Sequence, residues 1–172
     1  MNWDAFAGAA PELAALGRER FEKAEVLLLG TIRRDGSPRI SPCEFLFFDR
    51  ELMLGMMWQS KKALDLLRDP RCVIHSAVLS KEGTEGEFKL RGRAVNVADP
   101  EARERYGSAV FEKTGWRPPE PYHLFSVDIE QASFVQYSGK GDQTVVRWRP
   151  GQAEKRTVRK WTGSGYGVEE DP

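Results

Sequence analysis

Hydrophobic positions change their spacing along the chain, and each change predicts a new element. Apolar side chains repeat at helical spacing after Pro11, which predicts a helix over residues 11–23. Residues 1–10 are rich in Ala and Gly, so we expect a mobile arm there. The apolar run 26–32 has the length of a strand, and the Asp-Gly pair that follows it is a strong hairpin signal.

The rest of the chain predicts further short strands and two more helices. The strands are predicted at residues 37–43 with a continuation over 44–48, and at 52–58, 72–79, 88–94, 124–129, 133–137 and 143–149. The helices are predicted over 60–68 and 100–113, after the N-terminal signals Ser60 and Asp99-Pro100. Hairpin connections imply an antiparallel sheet, so the sequence predicts a mainly β fold of seven or eight strands, closed as a small barrel or packed as a sandwich.

Length, charge and cysteine count then narrow the function classes. A chain of 172 residues buries roughly 70% of its unfolded surface, enough for one core. Lys+Arg and Asp+Glu both number 26, which excludes a strongly basic nucleic-acid binder by bulk charge. No apolar run approaches the ~20 residues of a membrane span, and the N-terminus lacks the pattern of a signal peptide. We therefore expect a cytoplasmic protein in which both cysteines are reduced.

The tripeptide Ser60-Lys61-Lys62 carries the clearest chemistry. Lysines in the first turn of a helix face the positive end of the helix dipole, which costs roughly a few tenths of a kcal/mol each. Free backbone N–H groups, a hydroxyl and two ammonium groups together suit a phosphate. The alternative is an ordinary helix start with both lysines in water.

The motifs around this tripeptide resemble a known family. The turn-linked strand pair GTIRRDGSPRISPC is followed by a strand that ends at Trp58 and by the segment SKKALDLLRDPRCV over residues 60–73. This order is similar to that of the pyridoxamine 5'-phosphate oxidase-like family, the flavin-binding split barrels. The resemblance covers about residues 20–138, and residues 60–73 are its specific part.

The resemblance implies an architecture and an assembly. Members fold as a six-stranded antiparallel split β-barrel of Greek-key type with a few short helices. They usually form homodimers that hold two flavins in grooves between the subunits. We therefore expect an N-terminal arm and helix over residues 1–23, the flavin-binding barrel over 24–150, and a tail over 151–172 that is first basic and then acidic.

The resemblance also implies the residues of a flavin site. Lys61 and Lys62 match the basic pair that holds the flavin phosphate, and Ser60 lies beside them. The strand end that runs along the flavin ring system and ribityl chain corresponds to Met56, Met57 and Trp58. For Trp58 two roles stay open, namely packing within the protein and stacking on the ring.

A second strand lines the other side of the site in the family, and it corresponds to Arg39, Ile40, Ser41 and Pro42. A guanidinium binds phosphate through two hydrogen bonds, so Arg39 is a candidate phosphate or ring contact. The alternative for Arg39 is an exposed strand arginine.

The sequence also departs from the family's oxidases. Residues after 140 match no C-terminal substrate segment, and no Arg-x-His-type signature stands near the end. We therefore expect an FMN-dependent oxidoreductase that acts on a small organic substrate other than pyridoxamine phosphate. The alternatives are a reductase that uses the deazaflavin coenzyme F-420 and a non-catalytic small barrel that binds flavin or nucleic acid. No residue stands out as a catalytic acid, base or nucleophile.

Histidine and cysteine offer little for a metal site. Cys72 and His75 are three positions apart on a predicted strand, so they face opposite ways, and no metal site is expected. Cys43 and Cys72 suit small core residues. His123 has two readings, a haem or substrate ligand and a strand-start histidine bonded to the backbone.

The segment 140–161 is locally basic, with seven Lys or Arg residues against two acidic residues, a net of +5. Trp148 and Trp161 are interleaved with these charges, a pattern that suits single-stranded nucleic acid. The segment equally suits a contact to a phosphorylated cofactor in the partner subunit, or an edge strand protected by charge. With zero net charge overall, nucleic acid is not the expected partner.

Overall fold

Ten strands form one antiparallel sheet in the computed structural model of the chain, which describes residues 1–170. The strands are β1 (Leu27–Ile32), β2 (Pro38–Cys43), β3 (Leu46–Phe48), β4 (Glu51–Met57), β5 (Arg71–Ser76), β6 (Glu87–Asn96), β7 (Tyr122–Tyr137), β8 (Gln143–Trp148), β9 (Lys155–Trp161) and β10 (Tyr166–Glu170). The helices are α1 (Trp3–Ala9), α2 (Pro11–Ala24), α3 (Lys61–Arg68) and α4 (Pro100–Thr114). The mainly β class with few helices is therefore confirmed.

The long strand β7 organises the sheet. The hydrogen-bonded order is β10-β9-β8-β7-β6-β5-β1-β2, and β4 pairs with both β3 and the first part of β7. The second part of β7 pairs with β8, so two strands share one edge of β7. A bulge at Glu130, opposite Arg91 and Gly92, separates the two parts. No ladder joins β2 to β4 within residues 1–170, so the sheet does not close by hydrogen bonds.

The strand count differs from both expectations, the seven or eight of the hydrophobic pattern and the six of the resemblance. Residues 124–129 and 133–137 belong to one strand, because the bulge at Glu130 lets β7 continue through the predicted gap. Residues 44–48 do not extend β2 but give the separate strand β3. The tail over residues 151–172, for which the sequence predicts no strand, contributes β9 and β10, which pair with each other.

The N-terminal arm is also ordered, contrary to the prediction. The side chain of Asn2 accepts a hydrogen bond from the Ala5 amide (2.9 Å) and so caps α1. Trp3 and Phe6 are buried in the main core. The ring of Phe6 lies 5.1 Å from that of Trp148, centroid to centroid. The Ala- and Gly-rich composition suggested a mobile arm, but Trp3 and Phe6 are three positions apart and so lie on one face of a helix.

The core lies between the sheet and the first two helices. Its largest fully buried side chains come from α1, α2, α3 and six strands, and they are Trp148, Phe6, Phe21, Phe88, Phe125, Leu13, Leu27, Leu29, Leu52, Leu54, Leu66 and Ile74. A smaller cluster of Met53, Tyr106, Tyr122 and Leu124 attaches α4 to β4 and β7. No helix among residues 1–170 is long and apolar enough to cross a bilayer.

A single substitution on the buried face of α1 is expected to destabilise the fold strongly. Phe6→Ala is expected to lower the free energy of unfolding by about 3–5 kcal/mol, because it leaves a cavity where a side chain is 0% exposed. Urea denaturation measures this difference. Phe111→Ala, on α4 and 55% exposed, is the matched control and is expected to change little. Equal small effects of both substitutions would show that the arm does not pack as described.

Candidate functional site

A groove of about 730 Å³ opens between the end of β4, helix α4 and the proline-rich segment 116–121. Its walls are mainly apolar and include Met56, Met57, Trp58, Val110, Trp116, Pro118, Pro119 and Pro121. Its polar lining consists of Glu44, Ser60, Lys62, Tyr106 and Tyr122. A volume of this order and an apolar lining with few polar groups are typical of sites for small molecules and cofactors.

A tight turn at one end of the groove connects β4 to α3. The Ser60 amide donates a hydrogen bond to the Met57 carbonyl (3.1 Å), which closes the turn over residues 57–60. We call this segment the Met57–Ser60 turn. Within it, Gln59 has a φ of 58°, in the left-handed region that side chains other than glycine rarely adopt. The turn sets the point and direction at which α3 begins.

The start of α3 brings several donors together. Ser60 precedes the helix in an extended conformation, but its side chain caps no helix amide. The Ser60 Oγ is buried, and within residues 1–170 it has no hydrogen-bond partner. The first amides of any helix lack intrahelical acceptors. The Lys62 Nζ donates to the Pro42 carbonyl (2.6 Å) at the groove wall, and Lys61 is exposed on the same turn of helix. This set of donors suits an anionic group.

The structure thus brings five of the eight predicted site residues to one groove: Met56, Met57, Trp58, Ser60 and Lys62. Lys61 lies next to them in sequence but does not line the groove. Ser41 is half-buried on β2, where it pairs with Leu29 of β1, and it also stays outside the groove wall. The functional roles of all eight residues stay predictions.

Arg39 is neither exposed nor directed at the groove. Its Nε lies 2.7 Å from the Asp65 Oδ2, and Thr31 Oγ1 donates to the same oxygen (3.0 Å). Arg68 Nη1 reaches the other carboxylate oxygen (3.4 Å). Burial raises the pKa of Asp65, but the hydrogen bonds from Arg39 and Thr31 and the charge of Arg39 outweigh it, so the pKa lies below its usual value. Arg39 therefore ties α3 to β2.

His123 is a strand-start histidine bonded to the backbone, the second of the two roles considered from the sequence. It is 6% exposed, and its Nε2 accepts a hydrogen bond from the Gln59 amide (3.2 Å). The ring of Trp58 stacks on it, with centroids 4.5 Å apart and planes at 14°. Burial, followed by the nearby charge of Arg103, lowers the pKa of His123, so the imidazole is neutral near pH 7. Trp58 thus packs on His123, while 51% of this residue stays exposed and its contact with a flavin stays a prediction.

Tyr106 is a site residue that sequence reasoning placed only on the buried face of its helix. A Cβ added at Gly55 would lie 2.5 Å from the Tyr106 Oη, so this glycine makes room for the phenol at the groove floor. Burial raises the pKa of Tyr106, so the hydroxyl stays protonated and can donate a hydrogen bond. A lone glycine in strand β4 was the signal for this close approach.

The basic segment lies on a different surface. Arg147, Arg149, Lys155 and Arg159 line a separate groove of about 450 Å³ on β8 and β9. Trp148 is buried against Phe6 of α1, so its ring is not available to stack on a base. Of the two interleaved tryptophans, only Trp161 is exposed.

The cysteines pack as small core residues, as the sequence predicted. Cys43 and Cys72 are both buried thiols, and burial raises their pKa values to about 11 and about 12, respectively. On β5, Cys72 faces inward while His75 is half-exposed on the other side. The part of the chain that the structure describes holds no cluster of three His, Cys, Asp or Glu side chains placed for a metal ion.

Comparison with known proteins identifies a family from the sequence and a similar fold among solved structures. The family model described as Pyridoxamine 5'-phosphate oxidase matches residues 15–136. No curated protein sequence matches the chain. Among solved structures, a conserved hypothetical protein from Mycobacterium tuberculosis is 22% identical, with a TM-score of 0.58, over 69% of this chain and 81% of that one.

Two further solved structures have a similar fold. A Clostridium acetobutylicum protein of the pyridoxinephosphate oxidase family, related to general stress protein 26, is 13% identical (TM-score 0.58; 81% of this chain, 96% of that one). A heme binding protein from Mycobacterium smegmatis is 15% identical (TM-score 0.60; 92% of this chain, 87% of that one). At such identities the likeness shows the fold alone.

The network around Asp65 predicts a pH-dependent stability. Asp65→Asn is expected to lower the free energy of unfolding by about 2–3 kcal/mol near pH 7, because it removes a buried charge from its cationic partners. Since the folded pKa of Asp65 lies below its unfolded value, its contribution is present above about pH 5 and is lost on acidification through the folded pKa. Urea denaturation across this range should show the difference from wild type narrowing below about pH 4.

Glu22→Gln is the control for this measurement, because Glu22 pairs with Arg18 on the exposed side of α2. It is expected to change the free energy of unfolding little at any pH. The difference in the free energy of unfolding between wild type and Asp65→Asn should shrink on acidification. A difference as large near pH 3 as near pH 7 would contradict the lowered pKa of Asp65.

Proposed function

The chain belongs to the pyridoxamine 5'-phosphate oxidase family, and we propose that it is an oxidoreductase that binds FMN in the groove beside the Met57–Ser60 turn. The proposed reaction is hydride or electron transfer to or from a small organic substrate. One observation carries the proposal. The unpaired, buried hydroxyl of Ser60 stands at the lysine-rich start of α3, at the end of an apolar groove.

The residues present fit the phosphate end of FMN. The phosphate would take hydrogen bonds from Ser60 Oγ and from the first amides of α3, which the helix itself leaves unsatisfied. Lys61 and Lys62 supply the compensating charge, and no acidic residue stands in the first turn of this helix. Charge-assisted bonds of this kind are stronger than neutral ones. A carboxylate in that turn would have argued against the assignment.

The apolar part of the groove fits the flavin ring. Met56, Met57 and Trp58 provide a wall along which a flat aromatic ring can lie, and the prolines of segment 116–121 face it across the groove. When bound, the flavin supplies the redox chemistry, and the protein orients the ring and excludes water. Tyr106 offers a protonated hydroxyl at the groove floor for a hydrogen bond to the ring or to the substrate.

The residues of the groove favour a flavin over haem but do not separate FMN from a deazaflavin. The deazaflavin coenzyme F-420 also carries a phosphate, so Ser60, Lys61 and Lys62 serve it equally, and it is the alternative cofactor. Haem, which some proteins of similar fold bind, needs an axial ligand such as histidine. The His123 Nε2 already accepts the Gln59 amide, and His75 lies on another face of the sheet, which favours flavin over haem.

A homodimer is part of the proposal. The six-strand path β2-β1-β5-β6-β7-β4, open between its two ends, suits the split barrel, whose family members usually form homodimers with the cofactor at the subunit interface. A second groove, of about 820 Å³, follows the outer face of β1, β2, β5 and β6. Ile40 and Val73 are exposed in it, 74% and 48% respectively, and we place the partner subunit against this face.

A non-catalytic role has less support. The basic groove on β8 and β9 is the feature that suits a nucleic acid, but the burial of Trp148 removes one of the two stacking rings on which that alternative depended. A flavin-binding protein without turnover is the remaining alternative. It would bind FMN at the same residues but oxidise no reduced nicotinamide or other electron donor.

Removal of the two lysines tests the phosphate assignment. The double change Lys61→Ala, Lys62→Ala is expected to weaken FMN binding at least about tenfold, because it removes two charge-assisted contacts. Titration followed by flavin fluorescence measures the affinity. The matched control is Lys81→Ala, Lys140→Ala, which removes two exposed lysines distant from the groove. An affinity equal to that of wild type would exclude the start of α3 as the phosphate site.

A charge placed on the second face tests the dimer. Ile40→Asp is expected to convert a particle of twice 19.5 kDa into one of 19.5 kDa, because an apolar interface does not accommodate an unpaired carboxylate. Sedimentation velocity gives the mass, and Val78→Asp, at an exposed apolar side chain outside this groove, is the control. A monomeric wild type would refute this part of the proposal.

A further inference from the structure

His123 contacts the Met57–Ser60 turn from the inner side of the sheet. Its Nε2 accepts the hydrogen bond of the Gln59 amide at 3.2 Å, and its ring stacks on Trp58. The ring of Phe125 also lies near it, with centroids 6.4 Å apart and planes at 22°. The imidazole thus contacts two aromatic rings, and its one described hydrogen bond joins it to the turn.

The turn depends on such a contact because its backbone is strained. Gln59 has a positive φ without being glycine, and conformations of this kind persist where neighbouring groups impose them. The Gln59 amide itself is satisfied by the hydrogen bond that it donates to His123 Nε2. The next residue is Ser60, whose hydroxyl and whose helix form the proposed phosphate site. The position of these donors therefore follows from the position of Gln59.

We propose that His123 is the positioning residue of this site: its neutral imidazole holds the Met57–Ser60 turn in the conformation that presents Ser60 and the start of α3 to the cofactor phosphate. The inference rests on the proposed function. Protonation of Nε2 turns this acceptor into a donor, which cannot accept the Gln59 amide. Affinity for a phosphorylated flavin is therefore coupled to the protonation of one buried histidine.

The surroundings of His123 favour its neutral form. The charged group that acts on it is Arg103 of α4, whose guanidinium is paired with Glu120 (2.9 Å). The contacts from β4 and the turn, Met56 and Trp58, are uncharged. Burial first and Arg103 second lower the pKa of the imidazole. The hydrogen bond between the Gln59 amide and His123 is consequently present near neutral pH. It is lost when acidification below the ordinary histidine range protonates the imidazole.

Two substitutions separate the hydrogen bond from the packing. His123→Phe keeps a flat ring against Trp58 but removes the acceptor. His123→Gln keeps a neutral acceptor that does not titrate. The probes are FMN and riboflavin, which share the ring and differ in the phosphate. Titrations are made near pH 7.5 and near pH 5.5, with circular dichroism to confirm that each variant is folded. Lys140→Gln, at an exposed position in the connection between β7 and β8, is the control.

The expected result is a loss confined to the phosphorylated ligand. His123→Phe should bind FMN about tenfold more weakly than wild type while its riboflavin affinity is unchanged, because one bond that positions the phosphate donors is lost. His123→Gln should keep most of the FMN affinity and show a smaller loss on acidification than wild type. The phosphate itself titrates near pH 6 in both proteins, so the difference between them isolates the histidine.

Three outcomes would overturn the inference. Equal losses for FMN and riboflavin in His123→Phe would mean that the residue only supports the fold. Unchanged FMN affinity in His123→Phe, or identical pH profiles of His123→Gln and wild type, would show that the turn does not need the imidazole. Failure of wild type to bind either flavin would instead refute the proposed function, and this inference with it.

Discussion

The buried carboxylate of Asp65 is the contact on which the position of the candidate site depends. It lies on α3, a helix of only eight residues, and accepts hydrogen bonds from Thr31 of β1 and Arg39 of β2. A buried charge is stable only when its partners are in place, so the helix has one position relative to those strands. On the opposite side the Met57–Ser60 turn joins the same helix to β4. The position of α3 is therefore fixed by the contacts of Asp65 with β1 and β2 and by the turn that connects the helix to β4. Its N-cap residue, Ser60, makes no side-chain capping hydrogen bond.

The sequence predicted elements whose signals are local. Pro11, Ser60 and Asp99-Pro100 marked the starts of α2, α3 and α4 to within one residue, because helix N-termini require specific residues. The period-2 pattern likewise located β6. In contrast, α1, β9 and β10 depend on tertiary contacts, and the sequence predicted none of the three.

The contacts that position the site residues could not be predicted from the sequence for a similar reason. Arg39 and Asp65 are 26 residues apart, and Gln59 and His123 are 64 apart, so neither pair produces a local pattern. Nothing in the type of residue at position 59 signals a positive φ. The donors at residues 60–62, however, are consecutive, and a local argument from helix electrostatics sufficed to single them out. What the sequence could not show is that the Ser60 hydroxyl is buried without a partner.

The two ends of the groove have different tasks in the proposed site. The start of α3 supplies hydrogen-bond donors and positive charge, and the strand end with the proline-rich segment supplies an apolar slot. Such a site anchors and orients a cofactor, while its chemistry comes from the cofactor itself. A fold that leaves the chemistry to its cofactor can host many unrelated functions.

The central claim is that this groove binds a phosphorylated flavin. The most direct test is the visible absorption spectrum of the purified protein, followed by titration with FMN and then with the deazaflavin. The account predicts the absorption bands of a bound flavin, or saturable binding of about one FMN per chain. Preference for the deazaflavin would keep the site and change the cofactor. An absence of binding of either compound by folded protein would contradict the account.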